Sequence, residues 1–230
     1  DSPYGPFWSI TKYDDIMKME LDHQTYSSAA HLGGITIRDS PYGKEMASFI
    51  GMDQPTHTGH RKAVVPIVAP NNLRNLEATI RQRTEAVLDS LPRNETFDWV
   101  DKVSVELTTM MLATLFDFPW EDRRLLTYWS DVSVTDVNAP NALVRSDEER
   151  LEVQKEMGRY FADLWRERAK SEPGFDLISM MAHDEATKDL SPGDLIATFV
   201  LLIVGGNDTT RNAMTGGLMA LCNNPDQFAA

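Results

Sequence analysis

Cysteine is nearly absent: Cys222 is the only one in 230 residues. An internal disulfide is therefore excluded, and a reducing compartment suits the chain. Basic residues are also scarce, with 22 Lys and Arg against 35 Asp and Glu, a net charge of -13 and a pI near 4.7. A protein that neutralises phosphates presents a basic face, so this balance argues against nucleic-acid binding while leaving room for a local basic patch. Long apolar runs are missing too. The longest, Leu195 to Val204, falls short of the roughly 20 residues that a bilayer requires. No stretch has the layout of a signal peptide, and no repeat, low-complexity tract or dividing linker interrupts the chain. These absences lead to the expectation of a cytoplasmic protein with no transmembrane segment.

What is present reads as an ordinary globular composition, 42% hydrophobic and 25% charged, and mainly α in class with minor β. "FWSIT" (Phe7–Thr11) alternates as a short strand, and "GGITIRDSPYG" (Gly33–Gly43) reads as a loop with some strand character. Helical periodicity follows: about Pro55–Val68, Asn72–Leu91, and Val100–Phe116, where "VELTTMMLATLF" is nearly all apolar and so expected to be buried. "PWEDRRLLTYWSDV" supplies another helix. The irregular "TDVNAPNALVRS" separates it from a charged helix over Asp147–Lys170, and "DLISMMAH" forms a short one. Ser191, Pro192 and Asp194 then open a long helix as N-cap, first-turn proline and third-position acid, running to about Asn223. The chain begins at Asp1 without methionine and closes on "NNPDQFAA", where Asn224 and Pro225 announce another helix. An internal portion of a longer protein is expected.

Two stretches carry chemistry. In "FVLLIVGGNDTTRN" (Phe199–Asn212), paired glycines cost a helix interior roughly 1 kcal/mol each relative to alanine, and an acid sits in apolar surroundings. On a helical period Leu201, Val204, Gly205, Asp208 and Thr209 share one face. Gly205 leaves room for something flat against the backbone, and an adjacent acid and hydroxyl could hold water or relay a proton. A plain alternative is a close helix crossing, with Thr209 bonded back to a carbonyl and Asp208 salt-bridged. The second stretch is "MDQPTHTGHRKAVVPIVAP" (Met52–Pro70). His57 and Arg61 stack one turn apart, suited to a carboxylate or phosphate pair. Arg61, Lys62 and Arg74 form a basic island free of acids from Gln54 to Leu76, which could dock an acidic ligand or partner; a solvated helix face is the alternative. Asp53, His57 and His60 could also ligate a metal, although no second histidine cluster supports them. Cys222 has no flanking base or glycine turn and is assigned no role.

Taken together these residues resemble the cytochrome P450 superfamily, the haem-thiolate monooxygenases. Gly205 to Thr210 (G-G-N-D-T-T) matches that family's oxygen-activating helix, and His57 to Arg61 (H-T-G-H-R) matches its H-x-x-x-R propionate helix. Order and helix series fit as well. The resemblance covers residues 1–230 as one partial domain, the central portion of the P450 fold, with the thiolate-cysteine loop and the Glu-x-x-Arg helix outside it. "SPYGPFWSITKYDDI", "FIGMDQPTHTGHRKAVVPIVAP" and "LLIVGGNDTTRNAMTGG" look most similar to the bacterial alkane-hydroxylase branch, which acts on medium-chain alkanes or fatty acids at the terminal carbon.

This resemblance implies haem and dioxygen as cofactors, with His57 and Arg61 holding the haem propionates and Gly205 and Gly206 letting the helix bulge beside the ring. Asp208 and Thr209 would deliver protons during oxygen activation. Ile35, Ile37, Leu201 and Val204 would line the substrate pocket, with Leu143 at its entrance. No protein side chain in this sequence is expected to bind iron directly. Electrons would come from a ferredoxin and its reductase, docked on the basic island, and the protein is expected to be a monomer. A terpene or steroid hydroxylase remains open within the family, and a non-catalytic helical metal module outside it.

Overall fold

The long helix that starts at Ser191 fixes the arrangement of the rest. A computed structural model of the chain describes residues 5–35 and 46–228. Nine α-helices follow one another among the described residues: α1 (Tyr13–Leu21), α2 (Thr56–Val64), α3 (Pro70–Asp89), α4 (Glu106–Phe116), α5 (Arg124–Val134), α6 (Asp147–Arg168), α7 (Leu177–His183), α8 (Pro192–Asn223) and α9 (Pro225–Phe228). Short 3₁₀ turns join several of them. The mainly α class holds.

Local chemistry explains the boundaries. Ser146, Asp176 and Ser191 each accept a hydrogen bond from the backbone N–H three residues on, opening α6, α7 and α8. The helix expected over Pro55–Val68 remains α only to Val64. Val65–Val68 tightens to 3₁₀, since Pro66 has no N–H to donate to the helical ladder. The segment before α4, Val100–Val105, is a π-helical turn rather than α.

No strand occurs among the described residues. Phe7–Thr11 is exposed and irregular, with Trp8 94% accessible. Alternation alone does not make a strand, because each edge must also find a partner for its N–H and C=O groups. Of the loop expected at Gly33–Gly43, Gly33–Ile35 is described as a turn, and the remainder, including Ile37, lies outside the described residues.

The core is aromatic. Phe161 of α6 stacks on Phe199 of α8 with ring centroids 4.1 Å apart, and Phe116 of α4 packs on both at 5.7 and 5.9 Å. Trp129 of α5 joins Phe161 at 5.8 Å. Four helices thus meet at one cluster, with α8 crossing it. Two glycines allow the closest approaches. A Cβ on Gly158 would lie 2.5 Å from Ile196 Cγ1, and one on Gly206 would lie 2.7 Å from Leu112 Cδ2.

The segment over Val100–Phe116 is exposed at Val100–Lys102 and largely buried from Val103 to Phe116, yet its contacts with its neighbours are partly polar. Thr108 Oγ1 donates to Asn207 Oδ1 of α8 at 2.9 Å, Thr109 meets Thr127 of α5 at 2.5 Å, and Ser104 meets Thr215 of α8 at 3.0 Å. Such paired hydroxyls set the register of α4 and α5 against α8, since a slip would strand buried polar groups.

Candidate functional site: the exposed face of α8

Beyond the aromatic cluster, one face of α8 turns away from the core. Gly205, Thr209, Asn212 and Gly216 all lie on it, all exposed, at spacings of four, three and four residues. The stripe is about 16 Å long at 1.5 Å per residue. A methyl group placed on Gly205 or Gly216 would meet nothing within 4 Å. The helix is α throughout, without a bulge at the glycines. The two glycines divide their roles: Gly205 is bare towards the open face, whereas Gly206 makes the close approach to Leu112.

Thr209 Oγ1 donates to the Gly205 carbonyl at 2.7 Å, so its oxygen lone pairs remain free on the exposed face. Asp208 is half-buried and accepts from Arg211 Nη2 at 2.6 Å. The same Nη2 lies 2.8 Å from Asp131 Oδ1 of α5, and Arg211 is only 14% exposed in its side chain. Burial pulls the guanidinium pKa down most strongly, but the hydrogen bonds and charges of Asp131 and Asp208 outweigh it and raise it above its ordinary value. The plain alternative for Thr209 and Asp208, a back-bond and a salt bridge, is therefore what the atoms do. It coexists with an open face for chemistry.

Arg211 sits three residues after Asp208, a spacing the sequence displays. Asp131, 80 residues before Arg211 and on another helix, is a partner that no periodicity indicates. Asn207 is fully buried with its Nδ2 unpartnered among the described residues.

On α2, His57 is half-buried with its ring 6.3 Å from Phe49. Arg61 and Lys62, on the same helix, are exposed, as is Arg74 on α3. The expected pocket residues are dispersed. Leu201 packs against the core cluster and Val204 is half-buried. Ile35 and Leu143 are 55% and 53% exposed, on separate loops. Asp53, the third residue of the metal reading, is engaged elsewhere: Ser27 Oγ donates to it at 2.5 Å and Ser28 N at 3.0 Å. No group of three metal-ligating side chains occurs among the described residues.

His60 is turned inward from the same helix and is 9% exposed, with Nδ1 unpartnered. Burial lowers its pKa below the ordinary 6.5, against the opposing pull of Asp194 and Asp184. The unfolded chain thus binds a proton near pH 6.5 that the fold resists. Stability is complete above that value and falls as pH drops below it, towards the depressed folded pKa. Melting temperatures of the wild type and His60→Leu, measured from pH 7.5 to 5.0, check this. The substitution flattens the acid-side decline between pH 6.5 and 5.0.

The described residues thus carry a bare stripe on α8 and, on α2, a histidine and an arginine one turn apart. No protein-family model matches the chain. It is similar to a solved cytochrome P450-153 from Novosphingobium aromaticivorans, 46% identical with a TM-score of 0.87, over 100% of this chain and 57% of that one. It is also similar to the cytochrome P450 126 of Mycobacterium tuberculosis, 31% identical over 96% of this chain and 55% of that protein. Linalool 8-monooxygenase of Pseudomonas putida is 29% identical over 99% of this chain and 58% of that protein. The chain belongs to the cytochrome P450 superfamily, and it spans about half the length of the curated relatives it matches.

The superfamily implies haem. The residues present fit it: Gly205 and Gly216 leave a face that a side chain would otherwise fill. Arg61 is exposed as a cation for a propionate. No helix among the described residues is long and apolar enough to cross a membrane.

Proposed function

We propose that the complete protein is a haem-dependent monooxygenase that hydroxylates medium-chain alkanes or fatty acids at the terminal carbon. In this reading it uses dioxygen and receives electrons from a ferredoxin and its reductase, acting as a cytoplasmic monomer. The observation that carries the monooxygenase reading is the Gly205–Thr209 turn: a bare backbone beside a hydroxyl fixed at 2.7 Å on the Gly205 carbonyl. Haem, when bound, supplies the oxygen-activating chemistry.

This chain's residues then have defined tasks. Arg61 and His57 anchor propionates, the arginine by charge-assisted hydrogen bonds. Thr209 Oγ1, its own proton committed to Gly205, accepts a hydrogen bond from a water on the open face and orients that water for proton transfer. Asp208 lends a carboxylate next door, its Oδ1 held by Arg211 and its Oδ2 available to exchange a proton with solvent.

Support for the substrate is apolar and general. Leu201 and Val204 offer only burial to an aliphatic chain, at about 0.8 kcal/mol per CH₂. One relative, 28% identical, is a methyl-branched lipid omega-hydroxylase, a name that implies terminal chemistry. A second reading, hydroxylation of a terpene or steroid, is favoured by linalool 8-monooxygenase and a vitamin D(3) 25-hydroxylase at 29% and 30% identity. Titration of the complete protein with octane, decanoate, linalool and a steroid, followed by the haem spectrum, separates the two readings. The first expects the linear chains to bind at the lowest concentrations. Tighter binding of linalool or the steroid contradicts it.

Two further outcomes follow. Arg61→Ala removes a propionate partner and lowers haem occupancy after purification, whereas His60→Leu leaves it near wild type; the ratio of haem to protein absorbance reads both. Lys62→Glu with Arg74→Glu slows reduction by an acidic ferredoxin and blunts its salt dependence, as stopped-flow reduction measures. Unchanged kinetics would remove the basic island from the docking account.

A further inference from the structure

Between α6 and the first turns of α8 lies a groove of about 390 Å³, at the small end of the range for ligand sites. Its floor is apolar, formed by Trp165 of α6 with Leu195 and Ile196 of α8. Its α6 side carries Lys155, Arg159 and Arg166, which recur along one helical face. Gly158 and Ala162 lie between these cations. Gly158 lets Ile196 of α8 pack directly on α6, so the groove floor is closed there and its α6 rim carries the basic side chains.

The charges are not equivalent. Lys155 pairs with Glu152 at 2.7 Å and Arg166 with Asp163 at 2.6 Å, both in solvent. Arg159, exposed at the middle of the row, has no carboxylate within salt-bridge distance among the described residues. In a chain of net charge -13, the groove offers one cation without a carboxylate partner, Arg159, beside an apolar floor. It complements a molecule that is anionic at one end and aliphatic along its length. The groove also stands apart from the α8 stripe. Ile196 precedes Gly205 by nine residues, about 14 Å along the helix and half a turn around it. An occupant of the groove therefore leaves the Gly205–Thr209 face free.

We propose that this groove is a second, peripheral binding site for an aliphatic carboxylate, with the head group on Arg159 and Lys155 and the chain laid across Trp165 and Ile196. A guanidinium offers the carboxylate paired N–H donors, and the floor removes the chain from water. The site does not depend on the proposed hydroxylation.

Photolabelling of the complete protein with dodecanoate carrying a terminal diazirine, followed by peptide mapping, tests it. The expected label falls on peptides containing Trp165 or Leu195–Ile196 and is competed by free dodecanoate. Arg159→Glu lowers it about tenfold, the loss of one charge-assisted hydrogen bond, and Thr209→Ala leaves it unchanged. Equal labelling by the uncharged dodecanol analogue, or labelling indifferent to Arg159→Glu, overturns the proposal. So does a groove that takes no free dodecanoate but binds phosphatidylglycerol vesicles through Arg159, or one that sustains an Arg159-dependent dimer in sedimentation. Those outcomes assign it to a lipid surface or to a second copy of the chain.

Discussion

Thr209→Ala in the complete protein keeps substrate affinity and loses coupling. Its hydroxyl is the polar side-chain group fixed beside bare Gly205, donating to that carbonyl at 2.7 Å. Alanine keeps the helix, since the back-bond to position 205 is dispensable to it, but removes the acceptor that orients a water on the open face. Positioned proton transfer contributes about 10²–10⁴ in rate, and Asp208 with free water recovers part of it, so roughly a tenfold to hundredfold fall in product per electron pair is expected. The electrons appear instead as hydrogen peroxide, measured beside product and consumed nicotinamide cofactor in one assay. Thr209→Ser restores most of the coupling, because the hydroxyl returns. Wild-type coupling in the alanine variant would remove Thr209 from proton delivery.

The second large effect is on stability. Phe199 is fully buried, stacked on Phe161 at 4.1 Å and packed against Phe116 at 5.9 Å. Truncation to alanine removes a ring from the point where α4, α6 and α8 meet. Its three aromatic neighbours, Phe116, Phe161 and Trp165, are held by their own helices and cannot collapse fully into the space, so the loss is expected at about 3–5 kcal/mol. Urea unfolding of the complete protein, followed by tryptophan fluorescence, measures it; Trp129 and Trp165 border the same cluster. Phe199→Leu, which conserves more volume, costs less. A loss below about 1 kcal/mol for the alanine variant would mean that this cluster does not anchor α8.

The helices were legible where sequence supplied both a period and a boundary. α8 is the clearest case. Ser191, Pro192 and Asp194 state its start, and the apolar run states its burial, so only its unbroken α pattern through Gly205–Gly206 departed from expectation. Phe7–Thr11 shows the converse. Its alternation specifies a face but not a partner, and a strand depends on both. The π turn over Val100–Val105 was hidden for a related reason, because a shift of the backbone hydrogen bond to i→i+5 leaves no mark in the residue types of so short a stretch.

The site divides in the same way. Gly205, Asp208 and Thr209 were visible because a helix seldom carries such residues in its apolar middle. Gly206 belongs by sequence to the same motif, yet its neighbour is Leu112, a contact made by the crossing of two helices. Asp131 was invisible, since the charge it shares with Asp208 passes through Arg211 across a helix interface. The expected pocket residues do not come together among the described residues. Leu201 and Val204 share a helix face, but Ile35 and Leu143 sit on loops whose positions no periodicity sets.

The most direct measurement is product analysis with the complete protein, supplied with dioxygen, ferredoxin, ferredoxin reductase and reduced nicotinamide cofactor, and offered decane, decanoate, linalool and a steroid in competition. The account predicts the terminal alcohol of decane or the terminally hydroxylated acid as the main product, formed in step with electrons consumed. Preferential oxidation of linalool or the steroid, or hydroxylation spread along the decane chain, would contradict it.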